Sequence, residues 1–176
     1  PDFYSGFPIL MDIPWLPNGF IKYNFVNLPQ IVLNCKFRIT DEGLVRDLLD
    51  LLFPWIQKQT GKPLRVSCDG FCFDGWLVGH TLALSKKHED DKDFLMIYCG
   101  VGMHPSFKIE IIHGRKQQDL AMAIGDKPIL LFPASNDDLK PQQHEAIRIL
   151  AEARGVPQEE VAIEFPHMIH GWVNRG

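Results

Sequence analysis

The sequence predicts an α/β protein with a mostly parallel sheet and helices on both faces, and two observations carry that prediction. Short, near-continuously apolar runs alternate with stretches of helical periodicity from about residue 64 onward. Such runs mark strands buried on both faces, and the intervening helices supply the crossovers that parallel strands require. Residues able to do chemistry also cluster just after the apolar runs, where sites form in open parallel sheets.

The elements follow in order. Residues 1–39 are rich in Pro, Gly, Asn and aromatics, with prolines at 1, 8, 14, 17 and 29, and read as a long surface excursion. Thr40 is a plausible N-cap, followed by Asp41 and Glu42 in a first turn. Leu44, Val45, Leu48, Leu49, Leu52 and Ile56 then recur at helical spacing, with Pro54 expected to kink or split the helix and Gly61 to end it. Strands are expected at 64–68, 94–99, 128–132 and 161–165. Helices are expected from Asp74 to Lys86, from Gln117 to Ile124 and over 141–154, the last closed by Gly155. The charged run 86–93 reads as a solvated turn.

Composition narrows the classes. The chain has 176 residues, enough for a single domain over 1–176 with a substantial core. Lys and Arg total 18 against 22 Asp and Glu, a formal net charge of −4, which argues against nucleic acid or an anionic membrane as partner. No apolar run is long enough to span a bilayer. The first residue is Pro1, so the chain is read as missing its true start. Four cysteines without CxxC spacing point to a reduced, cytoplasmic setting, with Cys35, Cys68 and Cys99 expected as buried small hydrophobes.

The first strand runs into Asp69-Gly70-Phe71-Cys72-Phe73-Asp74-Gly75 and then directly into a helix. A Gly two residues before a nucleophile relieves crowding at a strained strand-to-helix turn, the logic of the G-x-S-x-G elbow, here with Cys. Cys72 would sit at a helix N-terminus that favours thiolate, and the Phe73 N–H would be an oxyanion donor. The strict motif wants Gly at 74; Asp74 stands there, and its charge would oppose thiolate formation. After the third strand come Asn136-Asp137-Asp138, and after the fourth His167-Met168-Ile169-His170-Gly171-Trp172. The order nucleophile, acid, histidine is that of the α/β-hydrolases. His167 with His170 lacks a third ligand at convincing spacing, so no metal is expected. His80, His88, His113 and His144 are read as structural or surface residues.

Several segments resemble the dienelactone hydrolase family, most closely its eukaryotic branch: Pro1-Asp2-Phe3-Tyr4-Ser5-Gly6, Gly70-Phe71-Cys72-Phe73, His104-Pro105-Ser106, Asn136-Asp137 and His170-Gly171-Trp172-Val173-Asn174-Arg175-Gly176. The resemblance implies an α/β-hydrolase fold of which this chain holds the carboxyl-terminal two-thirds. The strands before Pro1, with a second oxyanion N–H and a Glu contacting the resting thiol, and a last helix after Gly176 would lie outside it. It implies a triad of Cys72, His170 and Asp137, the acid being preferred over Asp138 because it follows Asn136. His104 and Phe71 are expected to line the pocket, small esters or lactones to be the substrates, and no cofactor to be needed. The rival reading is a non-catalytic α/β-hydrolase-like binding protein; a redox role for Cys68 and Cys72 fits their spacing poorly.

Overall fold

A computed structural model describes residues 43, 47–60, 66–91, 96–135, 140–170 and 172. The chain divides into two compact units, Pro1–Leu51 and Leu52–Gly176. In the first, Gly43 is helical and a π-helical turn, Asp47–Leu52, crosses the boundary. Helix α1 (Phe53–Thr60) follows directly, with Pro54 at its second residue, where a missing N–H costs nothing. The described helical residues run unbroken from Asp47 to Thr60, changing from π to α at Phe53, so the break expected at Pro54 is not seen. The surface excursion at 1–39 and the Thr40 cap lie outside the described residues.

The second unit is α/β. Strands β1 (Val66–Phe71), β2 (Ile97–Met103) and β3 (Ile129–Phe132) form a parallel sheet in the order β1-β2-β3. Between them run α2 (Phe73–Lys87), a 3₁₀ helix (Phe107–His113) and α3 (Gln117–Ile124). Helix α4 (Lys140–Arg154) follows β3 and ends at Gly155, whose φ of 66° supplies the left-handed stop. Helix α3 matches its expected span, and α2 and α4 differ by a residue.

Strands β1 and β2 run three and four residues further than the apolar pattern predicts. The ladder continues through their glycines, pairing Gly70 with Gly102 and Phe71 with Met103. Glycine is there for close approach: a Cβ at position 100 would come 2.6 Å from Val78 Cγ1 of α2.

Helix α2 is buried almost all round, with Trp76, Leu77, Val78 and Leu82 in the core. Each such side chain contributes about 1.5–3 kcal/mol of burial. It packs on β1 and β2, and α3 packs against both α2 and α4, so the three make one helical layer. The other sheet face carries exposed Ser67, Asp69 and Cys99 and half-buried Val101, Met103, Leu130 and Phe132. The expectation of helices on both faces is therefore met on one face by the described residues. Cys99, expected in the core, is exposed because it points to this second face. Cys68 is half-buried, and Cys35 lies outside the described residues.

The fourth strand is also corrected. Residues 161–165 make only two isolated parallel bridges, Leu131 with Ala162 and Ala134 with Phe165. The two share one register, but Pro133 lies between them and has no N–H to continue the ladder. No helix among the described residues is long and apolar enough to cross a membrane.

Candidate active site

Cys72 is the single residue between β1 and α2. Its backbone takes φ 54° and ψ −110°, a conformation that costs an L-residue about 1–3 kcal/mol. Two hydrogen bonds fix it: its N–H donates to the Met103 carbonyl and its carbonyl accepts the Ser106 N–H, each at 2.9 Å. Two glycines make room. A Cβ at position 70 would lie 2.5 Å from backbone atoms of Asp74, and one at 75 would lie 3.0 Å from Pro105. The second close-approach position is thus Gly75, and Asp74 is exposed, so the departure from strict spacing leaves the elbow intact.

The His170 Nε2 lies 3.0 Å from Cys72 Sγ. The loop carrying it is held from two sides. Met168 accepts from both the Ser135 N–H, at 2.9 Å, and the Ser135 hydroxyl, at 2.8 Å. Phe165 packs tilted against Trp172 at 4.8 Å and meets Phe132 of β3 edge to face at 5.8 Å. Asp137 and Asp138 lie outside the described residues; Ser135, two residues before Asp137, belongs to the segment bonded to the histidine loop.

Burial pushes the Cys72 thiol up, but it is outweighed. Hydrogen bonds with His170 and Ser106, the charge of the His170 imidazole and the Phe73 N–H bring it below the ordinary thiol value. Asp74 is not among these leading influences, and its own carboxyl is held above the usual range by partial desolvation. Cys68 is the opposite case: burial, with Cys99 and Asp69 nearby, pushes its thiol up to about 12.

His104 is fully buried and also takes a positive φ, 39°. Its ring lies edge-on to His170 at 4.6 Å and 6.3 Å from the ring of Phe71, so His104 stands beside the Cys–His pair and Phe71 beside His104. His167 is exposed and takes no part. Ligand atoms of Cys72, His104 and His170 lie within 4.8 Å of one another. A cleft of about 160 Å³ between the loop after β3 and residues 164–166 contains none of the three.

Two features escaped the sequence reading. The buried Ser106 hydroxyl lies 3.5 Å from Cys72 Sγ. The buried Glu110 accepts from Trp76 Nε1 at 2.5 Å, meets His80 Nε2 at 2.5 Å and pairs with Arg115 Nε at 2.7 Å. This carboxylate fastens the 3₁₀ helix to α2 one turn beyond Cys72, and so holds Ser106 against the elbow. His80, read as structural, is structural in this way.

Fold and site together define an α/β protein whose cysteine, at a strained strand-to-helix elbow, is paired with a histidine. Comparison of the chain with family models, with curated proteins and with solved structures found no match.

Proposed function

We propose that the protein is a cysteine-dependent hydrolase of small esters or lactones, of dienelactone hydrolase type, acting in the reducing cytoplasm through Cys72, His170 and Asp137. The observation that carries the reading is the 3.0 Å approach of His170 Nε2 to a sulfur at an elbow whose backbone is strained.

His170 Nε2 takes the thiol proton, and Asp137 holds the imidazole tautomer. The thiolate attacks the carbonyl carbon, a C–S bond forms, and the carbonyl electron pair moves onto oxygen, which the Phe73 N–H stabilises. Collapse expels the alcohol or enol oxygen, protonated by His170, and leaves a thioester. Water, deprotonated by His170, attacks the thioester, and the thiolate leaves. The Ser106 hydroxyl donates to the sulfur whenever it carries charge. Thiolate leaves as readily as it attacks, so the site suits activated esters and enol-lactones better than amides.

Turnover of an activated aryl ester tests the reading. Cys72→Ala is expected to lower kcat/KM by about 1,000-fold or more, and His170→Gln by a similar factor, because the pair acts as a unit. Equal rates in wild type and Cys72→Ala would overturn it.

A further inference from the structure

The hydrolytic steps use Cys72 and His170 and give His104 no part in the chemistry, yet the chain holds His104 at a cost. Its imidazole is fully buried on a left-handed backbone, whose amide N–H donates to the Phe132 carbonyl at 2.8 Å. That strain aims a second imidazole at the Cys–His pair.

One donor atom from each of Cys72, His104 and His170 lies within 4.8 Å of the other two. Zinc bonds a thiolate at about 2.3 Å and an imidazole nitrogen at about 2.0–2.1 Å, so ligand atoms on one tetrahedral ion stand roughly 3.3–3.6 Å apart. Side-chain adjustments of about 1 Å bring the trio to that spacing. The donor set is one sulfur and two imidazoles, which borderline-soft ions prefer and which hard, oxygen-seeking cations do not.

We propose that Cys72, His104 and His170 form a three-ligand site for a divalent cation of the zinc class, with the fourth position left to water. Binding replaces the thiol proton by a metal–sulfur bond and releases that proton to solvent. The metal then holds both the sulfur and the Nε2 lone pair that acyl transfer needs, so occupancy silences the hydrolase. The silencing rests on the proposed function; the binding does not.

The probe is Co²⁺ titrated into the full chain after chelator treatment. The expected result is one equivalent bound, with a thiolate-to-cobalt charge-transfer band, four-coordinate d–d bands, and displacement by Zn²⁺. Cys72→Ala removes the charge-transfer band. His104→Asn, chosen because Asn tolerates the left-handed backbone, weakens Co²⁺ binding by about 100-fold or more, since losing even an outer partner of a ligand costs about 10–100-fold. Absence of the band in wild type overturns the site, as does unchanged affinity in a folded His104→Asn. If that variant fails to fold, ¹⁵N resonances of the wild type decide: two imidazoles shifting with Zn²⁺ uphold the site and one overturns it. A chain that binds Co²⁺ but hydrolyses no ester keeps this site and loses the proposed function; the converse loses the site alone.

Discussion

Cys72 and His104 are the two non-glycine residues with positive φ among those described, and both stand at the site. Strain of this kind persists only where surrounding bonds over-determine it, and here the carbonyls of Met103 and Phe132 do so. Iodoacetamide labelling read residue by residue should show the consequence. A thiol held below its ordinary value gives up its proton at lower pH than a free cysteine, so the midpoint of the Cys72 rate is expected to lie below that of a free thiol. Cys68, at about 12, is expected to stay unlabelled across the same range. Equal slow labelling of both would contradict the environment assigned to Cys72. Ser106→Ala, which removes one donor to the sulfur, is expected to move the Cys72 midpoint upward. Asp74→Gly should leave labelling unchanged. Cys72 and His170 were legible in the sequence because each follows a short apolar run, although only the first of the two runs forms a strand. The part played by Ser106 was not, since nothing local shows that a serine after Pro105 meets the thiol until the end of β2 carries it onto the elbow.

At the scale of elements, the buried Glu110 ties the 3₁₀ helix to α2. His80, Trp76 and Arg115 together overcome its burial, the largest single influence, and hold its carboxyl below the usual range. As pH falls, the unfolded chain therefore takes up this proton first. The stabilisation from Glu110 is complete above its ordinary value of about 4.5 and is lost as pH drops through the lower folded value. Glu110→Gln should flatten that acid limb in a melting series. It should also destabilise by about 3 kcal/mol, because the partners remain buried without their charge, which lowers Tm by roughly 6–12 °C. An unchanged Tm and acid limb would show that Arg115 and His80 do not depend on the carboxylate. Periodicity cannot find such a residue: Glu110 sits in a short 3₁₀ segment and its partners lie up to 34 residues away. The strand ends were misjudged for a related reason. Gly70, Gly100 and Gly102 look like breakers in sequence, and only the approach of α2, of Pro105 and of the elbow backbone shows why they belong in strands. The last expected strand failed on Pro133 of the neighbouring chain segment, a partner that the pattern at 161–165 does not contain.

Across the whole molecule, alternation of apolar runs and helical periods was enough to read a parallel α/β sheet, because each strand is short and followed by its own crossover. The side of the sheet facing away from α2 was not legible in this way, and its exposed Cys99 and half-buried Val101 and Leu130 mark where the inference stopped. The site is the meeting of three segments, those after β1, β2 and residue 165, and their bonds through Met103, Ser106, Phe132 and Ser135 make it one unit. In the proposed function this unit makes Cys72 an acyl-accepting nucleophile. Intact-mass and peptide-level mass spectrometry after mixing with an activated acetyl ester tests it most directly. A single acetyl group is expected to form on Cys72 within seconds, to be cleared by water, and to be absent in Cys72→Ala. No adduct on Cys72, or acetylation spread equally over Cys72 and Cys99, would contradict it.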